Sequence, residues 1–186
     1  SESDTVWNQT DDRGWKQGYW RKYYPNGEVM YRGFFRDDKP EGKFERYYDN
    51  GKIKAVLLHT GRSETVYATM YFQNGQAGAV GKYTGQKRDS IWNYYSYHTG
   101  TLSCQESYNL GHKDGPSFKY YPEGSVAELL YFRNGMKHGK WTQLYEDSTL
   151  RLSAVFDMNQ LHGIYCIYNR NKIKVLDGTF FKGNKD

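Results

Sequence analysis

His138 and His162 stand 24 residues apart, each directly before a glycine. Paired imidazoles are a usual start of a zinc site, whose ligands sit within about 4 Å of one another. If 24 residues make one β-hairpin, equivalent positions lie two strands apart, about 9.6 Å. That is too far, so both histidines are expected to be turn residues. By the same count Cys104 and Cys166 fall five strands apart, about 24 Å, against a limit near 7 Å for bridged Cα atoms. Both are expected to be reduced and to pack. The stretch GQAGAVG at 75–81 is glycine-rich but lacks the Lys-Ser/Thr and following helix that cradle a phosphate. Asp37, Asp38 and Glu41 cluster where turn chemistry accounts for them, without the burial that acid–base catalysis requires. These residues predict no enzyme, no metal and no cofactor.

A ladder of rings and basic groups is the other chemistry. Two residues after a recurring glycine position stand Trp20, Phe44, Trp92, Trp141 and Tyr165; four after it stand Lys22, Arg46 and Lys119. Six after it stand Tyr24, Tyr48, Phe72, Tyr121 and Tyr145. Stacked rings stabilise one another across strands by about 0.2–1 kcal/mol per pair. Trp, Tyr and Arg also dominate the hot spots of protein interfaces. The candidate partner face is therefore Trp20, Lys22, Tyr24, Phe44, Arg46, Tyr48, Trp92, Lys119, Tyr121, Trp141 and Tyr145.

The elements that must position this ladder come from a period of 24. KYYPNG at 22–27 is echoed by KYYPEG at 119–124. One series runs Gly27, Gly51, Gly75, Gly100, Gly124, Ser148 and Lys172, with one inserted residue; a second runs Gly18, Gly42, Val66, Ser90, Gly115, Gly139 and Gly163. Such a fixed period marks a repeat architecture. Each unit reads as an outgoing strand, such as YWRKYY at 19–24, and a return strand with period-two alternation, such as Leu150, Leu152, Ala154 and Phe156. Pro25 and Gly27 suit a type I turn with a G1 bulge. That turn pairs Tyr24 with Glu28 and Tyr23 with Val29. It sets Trp20, Lys22 and Tyr24 on an exposed face, opposite Val29, Tyr31 and Phe35. A two-residue Asn-Gly turn would exchange the outgoing faces. A second, longer turn, such as RNGMKHG at 133–139, is expected to link one hairpin to the next.

At NGMKHGKWTQLYEDS (134–148) and DNGKIK (49–54) the sequence resembles the bacterial MORN-repeat variant family. The resemblance covers roughly residues 14–186 in seven units, the third and fourth degenerate, after an N-terminal extension at 1–13. It implies an all-β fold, an elongated single antiparallel meander of fourteen strands about 65 Å long at 4.8 Å spacing. It also implies a non-catalytic protein-binding module, and the antitoxin label common in that family would make the partner a toxin. The alternative is a cell-envelope module, such as a lipoprotein, that binds glycan or another envelope protein through its aromatic face.

Composition bounds the rest. Aromatics make up 18%, mostly the 19 tyrosines, and mean hydropathy is −0.95. Abundant amphipathic rings with low hydropathy suit a sheet wetted on both faces. No apolar run is long enough to span a bilayer as a helix. The net charge of +5 is too low and too balanced for a phosphate-tracking groove, although residues 51–100 carry six basic groups, Arg62 among them, against two acidic ones. The chain opens at Ser1 without Met, which predicts that a leader or tag has been removed. Location is left open between the envelope, which this reading favours, and the cytoplasm.

Overall fold

The computed structural model describes residues 5–61 and 63–185; Arg62 of the basic stretch lies outside them, as do the chain's terminal residues 1–4 and 186. The chain is an all-β antiparallel meander that forms two compact units, residues 1–87 and 88–186. In the first unit the strands are β1 (Gln9–Thr10), β2 (Lys16–Tyr23), β3 (Val29–Arg36), β4 (Lys39–Tyr47), β5 (Ile53–His59), β6 (Thr65–Tyr71) and β7 (Ala77–Thr84). The second unit contains β8 (Lys87–Tyr95), β9 (Leu102–Asn109), β10 (His112–Tyr120), β11 (Val126–Arg133), β12 (Met136–Leu144) and β13 (Leu150–Asp157). It continues with β14 (Gln160–Leu161), β15 (Gly163–Tyr168), β16 (Lys174–Phe181) and β17 (Asn184–Lys185). The short β1, β14 and β17 are additions to the fourteen hairpin strands that the repeat predicts.

The first turn is the bulged one in six hairpins, and the fourth, with its inserted residue, closes one residue wider through Gly100 N to Ser96 O at 2.9 Å. Gly27 N donates to Tyr24 O at 3.0 Å, Tyr24 N donates to Glu28 O at 2.8 Å, and Gly27 has φ +87°. Proline at the second turn position and a left-handed glycine at the fourth favour this geometry over a two-residue turn. The turns between hairpins are shorter than expected. In RNGMKHG the strands close directly around Asn134 and Gly135, both with positive φ, and Arg133 pairs with Met136. The rest of that stretch belongs to β12. The tips of these turns tie successive hairpins together, as in Gly135 N to Lys113 O and Asn159 N to Lys137 O.

A second bulge decides the faces. In all seven hairpins the register shifts by one residue just before the first tyrosine position: at 22/23, 46/47, 70/71, 94/95, 119/120, 143/144 and 167/168. An extra residue on one strand flips every side chain beyond it to the other face. Tyr23 therefore still pairs with Val29, but Lys22 pairs with Tyr31, Trp20 with Gly33 and Gly18 with Phe35. The tryptophans join the return-strand aromatics on one core face instead of opposing them.

The leading glycines occupy a third irregularity, between hairpins. The β3–β4 ladder shifts around Gly42, which has φ +67°. Ser90 takes the same left-handed conformation at φ +59°. Val66 does not, and the β5–β6 ladder runs through it without a shift. A β-branched residue is costly at positive φ, so losing the glycine there removed the bulge.

Candidate protein-interaction face

The core face explains where the predicted partner residues went. Phe44 is 6% exposed and Trp92 is 1% exposed. Trp20 and Trp141 are half-buried, their rings 6.2 Å from Phe35 and 5.5 Å from Phe156. The Trp20 indole donates to Gln9 O at 2.9 Å, and that of Trp141 to Glu128 Oε2 at 3.2 Å. The expected exposed ladder of tryptophans is thus corrected to a core, because the second bulge turns those positions inward.

The tyrosines at the sixth position tie one hairpin to the next. Tyr24 OH donates to Tyr47 O at 2.8 Å, Tyr48 OH to Tyr71 O at 2.7 Å, Tyr121 OH to Leu144 O at 2.8 Å and Tyr145 OH to Tyr168 O at 2.9 Å. Of the basic members, Lys22 and Arg46 are exposed, while Lys119 Nζ lies 2.8 Å from Glu128 Oε1. Burial would raise the Glu128 carboxyl, but Lys119, Gln143 and Trp141 outweigh it and hold it below the usual range. Glu106 is lowered the same way, by Lys113 and Tyr108 against burial. His138 lies in β12, not a turn, with Nδ1 3.2 Å from Asp157 Oδ1. Cys104 is half-buried in β9 and Cys166 is buried in β15; both are free.

A single layer must cover its own rings, and cations two residues before the leading glycine position do so. Lys16 Nζ lies 4.9 Å from the Phe35 centroid and 5.2 Å from that of Trp20. Arg88 stands 5.2 Å from Trp92 and 5.6 Å from Tyr108, Lys113 5.1 Å from Phe132, and Lys137 5.0 Å from Phe156. Their apolar stems shield the rings, while the Lys113 ammonium ends on Glu106 and Arg88 Nη1 donates to Tyr108 OH at 3.2 Å. These periodic lids at 16, 88, 113 and 137 were visible in the sequence as a basic position in phase with the glycines.

The opposite, outer face carries the accessible side chains. In the first unit Lys43 pairs across strands with Leu58, Leu58 with Tyr67, and Tyr67 with Lys82. Leu58 is 48% exposed and Tyr67 53%. Beside this row run Arg21, Arg32, Glu45 and Val56, and Tyr19 and Tyr23 are exposed on the same face. At its centre Glu45 is buried. Arg32 Nε lies 2.5 Å from its Oε2, Lys43 Nζ 2.6 Å from its Oε1, and Tyr47 OH donates at 2.9 Å. Burial pushes the carboxyl up, but those three contacts win and hold it at about 2. Burial and the bond to Glu45 push Tyr47 up to about 12. One carboxylate thus holds two cations. In the second unit the outer face is more aliphatic, with Ile91, Tyr131, Val155 and Ile164 exposed. Among the described residues no group of three His, Cys, Asp or Glu could hold a metal ion. Among the described residues no helix is long and apolar enough to cross a membrane.

Residues 16–37, 40–59 and 113–134 match the model of the MORN repeat variant. These segments fall on the hairpins β2–β3, β4–β5 and β10–β11. No curated protein matches the chain. A similar solved structure, titled as the crystal structure of a GtfA/B complex, is 15% identical with a TM-score of 0.34. The match covers 48% of this chain and 18% of that one, so the chain spans less than a fifth of that protein's length.

Proposed function

We propose that the chain is a non-catalytic repeat module that binds a protein through the outer face of its first unit. The observation that carries this reading is the row Lys43–Leu58–Tyr67–Lys82, half-exposed apolar side chains between cations on a rigid sheet. Interface cores favour such amphipathic residues, and no structural tie explains the exposure of Leu58 and Tyr67. Neutralising a toxin is the role that the family resemblance would give this surface. The envelope alternative, glycan binding, is supported by a shallow cleft of about 460 Å³ between two turn tips, lined by Tyr24, Pro25, Asn26, Tyr48, Asp49 and Lys54. Its aromatic walls and polar rim suit a sugar.

The test is photo-crosslinking in native lysate with the probe beside Leu58, followed by identification of what is bound. The reading expects one predominant protein, lost in Leu58→Asp and Tyr67→Asp variants that keep the wild-type circular dichroism. A toxin among the captured proteins would support neutralisation, and an envelope component the alternative. Capture that survives both substitutions overturns the assignment to this face.

A further inference from the structure

We propose that the outer edge of β16 takes an extended segment of a partner protein, with an aromatic residue of that segment seated against Gly178. This surface belongs to the second unit and stands whether or not the face of the first unit binds. Among the described residues β17 pairs only with Phe180 and Phe181, so residues 174–178 have no partner strand on that side. Their core face is open as well. Leu176 is 50% exposed, whereas Leu152, at the same position one unit earlier, is 6% exposed where β15 pairs with it. An unpaired strand edge with exposed apolar side chains is a template for strand addition. In that mode main-chain hydrogen bonds supply affinity and pockets for alternate side chains supply specificity.

The first hairpin shows what fills such a pocket. Trp20 pairs with Gly33 and Tyr165 with Gly178, so the two glycines hold one position of the repeat. On its other side Gly33 pairs with Phe44, whose ring lies so close that an added Cβ would meet it at 2.2 Å. Two residues on, Arg46 pairs with Tyr31. At Gly178 an added Cβ would meet Lys185 Cε at 3.5 Å and Phe180 Cε2, from the same strand, at 4.0 Å. The notch that Phe44 fills at Gly33 is therefore open at Gly178. Its occupant is an extended stretch with an aromatic residue against Gly178 and a long side chain two residues later against Leu176. A second copy of the chain fits worse. The β2 edge is occupied, since Asn8 N donates to Tyr19 O at 2.9 Å and Gln9 and Thr10 pair with Gln17 and Lys16. The rings of β16 itself, Phe180 and Phe181, lie where β17 already pairs.

The experiment uses the 186-residue chain and a labelled peptide of its residues 16–24, KQGYWRKYY, which presents Trp20 to Gly178 and Lys22 to Leu176. Fluorescence anisotropy is expected to show binding at least about 10-fold tighter than that of the same peptide with Trp20→Ala or Arg21→Pro, since a ring is the anchor and proline removes a donor from the added strand. In the chain, Leu176→Asp changes an exposed position, keeps the wild-type circular dichroism and should weaken binding by a similar factor. Gly178→Ala should weaken the Trp20 peptide at least about 5-fold and leave the Trp20→Ala peptide unchanged, because the methyl competes only with the ring. The melting temperature of Gly178→Ala should stay that of the wild type, as nothing nearer than 3.5 Å opposes the methyl. A photo-crosslinker in place of Tyr19 of the peptide should mark residues 174–180. Equal affinity for the Trp20 and Trp20→Ala peptides overturns the proposal, as does indifference to Gly178→Ala or crosslinking confined to other strands. A concentration-dependent dimer in sedimentation, abolished by Leu176→Asp, would give the edge to a second copy and overturn the partner segment.

Discussion

Gly33 is a glycine for a steric reason, which makes it a sharp probe of the core face. Its backbone is extended, so no left-handed strain is involved, and the three atoms nearest to an added methyl group all belong to the Phe44 ring. A Cβ at Gly33 would lie 2.2 Å from Phe44 Cδ2, 2.9 Å from Cε2 and 3.0 Å from Cγ. Three atoms of the ring's near edge are involved, so rotating one end away does not relieve the clash, and Phe44 is only 6% exposed. Overpacking of this kind costs about 1–3 kcal/mol. Replacing a strand glycine by alanine returns about 0.5–1 kcal/mol. Gly33→Ala should therefore destabilise by about 1 kcal/mol, read as a lower urea midpoint at unchanged slope. Phe44→Ala alone should cost about 3–5 kcal/mol. In that background Gly33→Ala should become neutral or stabilising, because the methyl occupies space the ring has left. A double-mutant cycle measures this coupling directly. If Gly33→Ala is neutral in the wild type, or equally costly with and without Phe44, the ring does not pack on that glycine and the inward turn of β4 is refuted.

Ser90→Gly should stabilise by up to about 1 kcal/mol, since Ser90 sits at φ +59°, whereas Val66→Gly should destabilise its regular ladder; thermal melts of the two variants check the contrast. Tyr145→Phe removes the bond to Tyr168 O and should cost about 0.5–1.5 kcal/mol, with hydrogen exchange accelerating in residues 163–181 before the rest of the second unit. Glu45 has a folded pKa lowered from 4.5 to about 2, so its contribution is complete above the unfolded value and lost as pH falls through that window. The shift corresponds to at most about 3 kcal/mol, and the exposure of Arg32 and Lys43 reduces it to roughly 1–2 kcal/mol. Urea titrations between pH 5 and 2 should show this loss in the wild type and not in Glu45→Gln. An unchanged pH dependence in that variant would assign the loss elsewhere.

The hairpins, their period and the bulged turn were legible because each rests on residues with few conformational options: Pro25 fixes φ, and Gly27 accepts the left-handed region. The faces were not legible, because the second bulge needs neither glycine nor proline. It adds one ordinary residue, Met30 in the first hairpin, and leaves no compositional mark of its own. Its one trace is the adjacent pair at Tyr23–Tyr24, Tyr47–Tyr48 and Tyr120–Tyr121. Neighbouring aromatics on a regular strand point to opposite faces. Here one tyrosine of each pair closes the ladder with the return strand, as Tyr23 does with Val29, and the next reaches the following hairpin through its hydroxyl, as Tyr24 does with Tyr47 O. Reading the doublet as a bulge would have sent Trp20, Phe44, Trp92 and Trp141 to the core from the start.

That misplacement bears on where binding can occur. A one-layer sheet has no second layer to bury its apolar side, so Lys16, Arg88, Lys113 and Lys137 serve as lids and Tyr24, Tyr48, Tyr121 and Tyr145 as clasps. Every one of these side chains is committed to holding the array together, and a partner that engaged them would have to displace an internal contact. Leu58 and Tyr67 carry no such commitment. They neighbour each other on the outer face, and Glu45 in the adjacent row spends its charge on keeping Arg32 and Lys43 in place. In a repeat protein whose core residues recur by necessity, the side chains that depart from the repeat are free to encode a partner. Tyr67 stands one residue after Val66, where no bulge interrupts the β5–β6 ladder, so the row from Lys43 through Leu58 and Tyr67 to Lys82 stays in register.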